Sequence, residues 1–169
     1  AARRDPARMG LVLDLLRHGM AQPAGAGGDR LRELSAEGIE TLTVLAGRLA
    51  AADWAPGRIL SSPYVRTLQT ARIVAQGAGV AAAVEPLTAL EPEHEPQDVI
   101  DALAGLGVTA GHVLLVGHQP LLGLLVGHLT GTGRSLAAGT LVRLECPGGA
   151  ARGAGRVVRV IAPGETARS

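Results

Sequence analysis

An arginine and a histidine side by side, Arg17-His18, close an apolar run over residues 11–16 and are followed at once by Gly19. A guanidinium next to an imidazole is equipment for a phosphate: one group holds charge, the other attacks phosphorus or moves a proton. The same kind of ending recurs twice. Ile59-Leu60-Ser61 gives way to Ser62-Pro63-Tyr64-Val65-Arg66, and Val113-Leu114-Leu115-Val116 to Gly117-His118-Gln119-Pro120. Each residue taken singly has an ordinary reading, as a strand end, a solvated arginine or a satisfied structural histidine. Their recurrence at equivalent places favours one shared site.

The elements that must position them follow from periodicity. The apolar runs are too short to cross a membrane and suit buried strands. Strands are predicted over 11–16, 59–61, weakly 81–84, 112–117, 139–145 and 156–161, the last two forming a hairpin. Ser35 reads as the N-cap of a helix reaching about Ala52, with Ile39, Leu42, Leu45, Ala46 and Leu49 on its apolar face. Ser62 as N-cap and Pro63 at the first helical position open a second helix. Its buried stripe is Val65, Leu68, Ala71 and Ala75, with Arg66 off that stripe. Short helices over 97–106 and 121–129 complete the set. Alternation of this kind predicts an α/β three-layer sandwich with a mostly parallel central sheet flanked by helices. Arg17, His18, Ser62, Arg66 and His118 then come together at the carboxyl edge of that sheet, where open α/β sheets bind ligands.

Composition narrows the function classes. A chain of 169 residues is read as a single domain over 1–169, with 1–9 and 163–169 as flexible ends. Phe is absent and there is one Trp and one Tyr, so the core must be aliphatic. All 16 basic residues are arginines, yet the net charge is only +1, which speaks against a nucleic-acid partner. Cys146 has no partner for an internal disulfide, no run reaches membrane-spanning length, and 1–10 lacks a signal peptide's apolar middle. The expectation is a cytoplasmic protein without a membrane partner; a monomer is favoured, though the sequence does not fix the oligomeric state. There is no Walker motif, no G-x-G-x-x-G, no metal-ligand spacing and no Asp cluster for Mg²⁺. Glu91, Glu93, His94 and Glu95 lie in an acidic loop, any of them a proton donor or a solvated charge. His112 starts its strand at the end far from the site, and His128 reads as a packing or solvent-facing residue.

Two arginines, two histidines and two helix N-termini around one point would bind a phosphoryl group and spread its charge. His18 stands as nucleophile, with Gly19 allowing close approach, and His118 as a cation or a hydrogen-bond donor to the same phosphate. In these motifs the sequence resembles the histidine phosphatase superfamily, the phosphoglycerate mutase-like fold. Leu16-Arg17-His18-Gly19 looks like its signature, Ser61-Ser62-Pro63-Tyr64-Val65-Arg66-Thr67-Leu68-Gln69-Thr70-Ala71 like its second motif, and Gly117-His118-Gln119-Pro120 like its third. The short chain and Arg32-Glu33-Leu34-Ser35-Ala36-Glu37-Gly38 point to SixA-type phosphohistidine phosphatases. The resemblance implies His18 as nucleophile, with Arg17, Arg66 and His118 completing the phosphate pocket. Ser62, Gly19, Arg32 and Gln119 are its expected further substrate contacts. It also implies no metal and no organic cofactor.

One departure bears on the substrate. Larger members carry a glutamate proton donor after the third strand, where this chain has Leu87-Thr88-Ala89. SixA-type proteins resemble it in this, and Glu91 or Glu93 are the candidate replacements. A phosphoramidate nitrogen is protonated more readily than an alkoxide, so an N–P bond is the favoured target. The expected activity is metal-independent removal of phosphate from phosphohistidine on a protein, at an open pocket. The alternatives are a small-molecule phosphomonoesterase acting on a phosphate ester, and a non-catalytic phosphate-binding module.

Overall fold

The computed structural model describes residues 10–164, so the expectations for 1–9 and for the last residues of the tail lie outside them. β1 (Leu11–Arg17) is apolar on both faces because both are covered. Leu11, Leu13 and Leu15 enter one core layer and Leu16 the other. The sheet has six strands in the order β3-β2-β4-β1-β5-β6. β2 (Arg58–Ser61), β3 (Val84–Pro86) and β4 (Gly111–Gly117) run parallel with β1. β5 (Leu141–Cys146) is antiparallel to β1, and β6 (Arg156–Ile161) antiparallel to β5, so only β5 runs against the rest. This is the expected α/β sandwich with a mostly parallel sheet.

Helices α1 (Ala36–Ala51) and α2 (Val65–Gly77) cover one face, where Leu42, Leu45 and Leu49 meet Ala71, Val74 and Leu114. Helices α3 (Pro96–Gly105) and α4 (Leu121–Thr130) cover the other, where Val99 and Leu103 join Leu122, Leu125 and Leu115. Single 3₁₀ turns lie at Asp29–Leu31 and Thr88–Leu90. Among the described residues no helix is long and apolar enough to cross a membrane.

Three details depart from the periodicity. Ser35 caps α1 as expected, its Oγ accepting from the Gly38 amide at 3.1 Å, but Ile39 is exposed. Gly38 holds the buried position, since a Cβ there would run into the Met20 carbonyl. Ser62 is not the N-cap of α2, which begins two residues beyond Pro63 with Tyr64 as its cap residue. The buried stripe of α2 is Arg66/Thr67, Thr70/Ala71 and Val74/Ala75, while Val65 and Leu68 are only half-buried. Polar residues occupy that stripe because each is satisfied: Thr67 Oγ1 donates to the Ser62 or Tyr64 carbonyl, both at 2.8 Å, and Thr70 Oγ1 to the Arg66 carbonyl at 2.7 Å. Finally, β3 begins at the last residue of its expected span and continues to Pro86.

Asp14 is fully buried in the middle of β1 and surrounded by donors. Arg143 grips it with Nε and Nη2 at 2.8 and 2.9 Å, Trp54 donates its Nε1–H at 2.7 Å, and His112 Nε2 closes the group. His112 thus sits away from the strand ends that carry the motifs, as expected. Burial alone would raise the carboxyl pKa, but Arg143, His112 and Trp54 together hold it at about 2. Asp14→Ala leaves Arg143 without its counter-ion and should cost about 3–5 kcal/mol in urea denaturation. Because the folded value lies below the ordinary one, the carboxylate's contribution is complete above about pH 3.8 and drains away toward about 2. Denaturation curves down through that range should therefore converge for wild type and variant.

Candidate active site

Strand register assembles the site. Arg17 lies opposite Gly117 and Ser61 opposite Val116, so three parallel strands end together. Pairing continues one residue further, from the His18 amide to the Gly117 carbonyl at 3.1 Å and from the Ser62 amide to the Val116 carbonyl at 2.9 Å. The His18 and His118 rings consequently stand edge to face with centroids 5.3 Å apart. Arg66, in the first turn of α2, reaches between them. Its Nε donates to His18 Nε2 at 3.3 Å and its Nη2 to His118 Nδ1 at 3.4 Å.

These contacts assign the ring protons. The Gly19 carbonyl, 2.7 Å from His18 Nδ1, can only accept, so Nδ1 carries the proton and Nε2 presents its lone pair. In His118 the arginine makes Nδ1 the acceptor, so Nε2 donates to Ser62 Oγ at 2.8 Å. Burial pushes the His18 pKa down to about 4, with the charges of Arg66, Arg17 and Arg32 adding to it and the Gly19 bond opposing. His118 is pushed down to about 3 by burial, then by His18 and Arg66, with the Asp29 charge opposing. With Nδ1 facing Arg66 and the Nε2 proton given to Ser62 Oγ, His118 is a neutral ring whose donor is directed at a serine. Arg17 donates from Nη1 to the Leu136 carbonyl at 2.7 Å, while its Nε is buried with no acceptor. A buried N–H without a partner is costly, and this one keeps a hydrogen bond to give.

The remaining expected residues fall differently. The Gly19 amide donates to Thr70 Oγ1 at 3.1 Å, and a Cβ at Gly19 would press on Leu42 Cδ1 at 2.7 Å. A side chain here would have to displace Leu42 of α1, so packing favours glycine irrespective of any substrate. Gln119 Oε1 accepts from the Gly123 amide at 3.2 Å and serves the first turn of α4. Arg32 donates to the Gln22 carbonyl at 2.7 Å and to Asp29 Oδ1 at 3.0 Å. Ala89 lies in the 3₁₀ turn after β3, as its sequence position implied. Glu91 is buried and ion-paired with Arg30 at 3.3 Å; Glu93 is exposed. Sequence spacing suggested no metal ligands, yet Glu91, Glu93 and His94 bring ligand atoms within 4.8 Å of one another, an arrangement common in acidic loops without an ion.

Sequence reading missed Asp29 and gave Tyr64 no role. Asp29 binds Arg66 through its main-chain oxygen at 2.8 Å and its carboxylate at 3.2 Å. The Tyr64 ring packs on His118 at 5.0 Å, with the Arg66 and Arg30 guanidinium carbons 5.1 and 5.0 Å from its centroid. His18 is only 9% exposed, more buried than an open pocket under short loops implies. The arrangement can seat a dianionic phosphoryl group among guanidinium groups and present an unprotonated ring nitrogen to it.

Ring nitrogen chemical shifts should find both imidazoles neutral at pH 6, His18 protonated on Nδ1 and His118 on Nε2. Tungstate or phosphate should raise both pKa values, because a nearby dianion favours the charged ring. A His18 that titrates near 6.5 in the free protein would refute this electrostatic picture.

The chain was also compared with known proteins. Residues 13–91 match the histidine phosphatase superfamily, branch 1. Among solved structures, the protein histidine phosphatase SixA complexed with tungstate superposes with a TM-score of 0.80 at 25% identity, covering 90% of this chain and 97% of that one. A SixA-type structure from Agrobacterium tumefaciens gives 0.76 at 21% identity over 90% and 97% of the two chains. Another from Nakamurella multipartitia gives 0.75 at 23% over 95% and 100%, and these two speak for the fold alone. No curated protein sequence matches significantly. The match spans the first two motifs, and the fold is shared with SixA over nine-tenths of the chain; both liken it to the phosphatases of the histidine phosphatase superfamily.

Proposed function

We propose that this phosphatase removes phosphate from phosphohistidine on a protein, through a covalent phosphohistidine formed on His18. The observation that carries the reading is the state of His18: Nδ1–H anchored on the Gly19 carbonyl, and Nε2 unprotonated beside Arg66. In the first step Nε2 bonds to phosphorus as the substrate's P–N bond breaks, and the departing imidazole nitrogen takes up a proton from water. In the second step water attacks phosphorus, the bond to Nε2 breaks, and inorganic phosphate leaves. Arg17 and Arg66 meet the charge on the phosphoryl oxygens, which makes a divalent metal unnecessary. Ser62 and His118 form the wall against which the phosphoryl group is held. Ala89 supplies no acid, which suits a leaving nitrogen better than a leaving alkoxide. The SixA that superposes best of the three is itself a protein histidine phosphatase.

A small phosphate ester is the second reading, favoured by the burial of His18 and His118. A panel that sets a phosphohistidine-bearing protein domain against phosphate monoesters, in EDTA throughout, separates the two. We expect kcat/KM to be highest on the phosphohistidine protein and EDTA to change nothing. Higher kcat/KM on the esters would shift the assignment to them, and loss of activity in chelator would overturn metal independence. Rapid quenching should trap a phosphoenzyme in wild type and none in His18→Ala. Arg66→Ala should lower the rate by at least ~10²-fold, the scale of removing one donor to a developing charge. Wild-type turnover in His18→Ala would dispose of the mechanism altogether.

A further inference from the structure

Among the described residues, Asp29 is the one whose carboxylate bonds to Arg66 or Arg32, and it bonds to both. Arg66 is a planar fork whose position is set by what holds its edges. The two histidines accept on one side, at 3.3 and 3.4 Å. Asp29 accepts on the other, from Nη1 through its main-chain oxygen at 2.8 Å and from Nη2 through Oδ2 at 3.2 Å. Oδ1 meanwhile takes Arg32 Nη1 at 3.0 Å, so one carboxylate bridges two cations that would otherwise repel.

The chain is shaped to deliver that carboxylate. Residues 22–33 leave the body as a loop closed at its base by the Ala21–Leu34 bridge and by the Gln22 amide on the Glu33 carbonyl at 2.8 Å. The loop holds no buried residue in its 3₁₀ turn, and Gly28, at φ 77°, makes the bend that starts it. Asp29 is half exposed, its side chain 54% accessible, so no apolar packing fixes it. Its contacts are polar and point at the arginines.

We infer that Asp29 is a positioning residue, which fixes the Arg66 and Arg32 guanidinium groups where a phosphoryl group is to be received. The inference rests on the phosphatase reading of this site. Its effect is exerted through the arginines and involves no proton transfer. Nor is Asp29 a substitute for the acid absent at Ala89, since its hydrogen bond from Arg32 foremost, and the Arg66 charge, hold its own pKa below the ordinary carboxylate value.

Asp29→Ala and Asp29→Asn test it, with melting temperature as the check on folding, kcat and KM on the best substrate, and tungstate affinity by calorimetry. We expect Asp29→Ala to lose about 10- to 100-fold in kcat, the scale of a misplaced positioning contact, and to bind tungstate about 10-fold more weakly. Asp29→Asn keeps an acceptor oxygen for the guanidinium groups and should recover to within about 5-fold of wild type in both measurements. The charge that opposes the lowering of the His118 pKa is lost in Asp29→Asn, so ring nitrogen shifts should find His118 titrating lower than in wild type. Arg66, Arg17 and His18 face His118 as well, and none of them changes in this variant. Unchanged kcat and tungstate affinity in a folded Asp29→Ala overturn the inference. So does an Asp29→Asn as slow as Asp29→Ala with tungstate affinity intact, because that pattern belongs to proton transfer. Failure of the underlying reading shows separately, as wild type that binds no tungstate or His18→Ala that keeps full turnover.

Discussion

A guanidinium held at 4% exposure, as Arg66 is, is stable only if acceptors surround it. That requirement organises this end of the molecule. It draws a lone pair from each histidine, and so fixes Nε2 of His18 and Nδ1 of His118 as acceptors. It places Ser62 Oγ on the remaining nitrogen of His118 and draws Asp29 in from the loop above. The low proton affinities of the rings follow from the same arrangement: both are buried beside a cation, and neither has a carboxylate in contact. An imidazole paired with an acid would have been protonated more easily.

β1 carries two charge clusters that illustrate opposite solutions. Asp14 is enclosed by Arg143, His112 and Trp54, and its oxygens are fully engaged. This cluster is self-contained and belongs to the stability of the sheet. Three residues on, Arg17 leaves a buried Nε without an acceptor and stands beside a second arginine cluster. Cations gathered together repel one another, and among the described residues Asp29 is the one carboxylate bonded to Arg66 or Arg32 at this end of the strand. The parallel pairing with β4 and β2 makes this gathering possible, because it ends three strands at one level and sets their following residues side by side.

Much of this was legible in the sequence. The apolar runs ending in Arg17-His18 and Gly117-His118 read correctly, because strands covered on both faces announce themselves without needing periodicity. The helix α2 was read one position out of phase, since its buried stripe contains Arg66, Thr67 and Thr70, and a search for apolar spacing passes over polar residues satisfied by the backbone. Ile39 was misplaced because the tight fit of Gly38 under Met20 is a matter of shape. Asp29 was missed for a third reason. It lies in a loop with no periodicity, and its value comes from a contact 37 residues away in sequence. The acid spaced three residues before Arg32 was the available signal, and only the fold gives it meaning.

The charge balance also bears on the kind of substrate. Arg17, Arg32 and Arg66 bring three positive charges to the pocket, Asp29 returns one negative charge, and both rings are neutral. A phosphoryl dianion brings this sum to zero. Ser62 Oγ accepts from His118 Nε2–H at 2.8 Å and from the Tyr64 amide at 3.3 Å, which leaves its own proton free to be donated to a third partner. Arg17 Nε and the Ser62 hydroxyl thus keep protons to donate, while among the described residues the carboxylate bonded to Arg66 and Arg32 is held by those two cations. A site with that imbalance is far better suited to stabilising charge on phosphorus than to protonating a poor leaving group. Under the proposed reaction, the burden of expulsion therefore falls on the substrate, and a bond to an imidazole nitrogen can bear it where a bond to an alkoxide cannot.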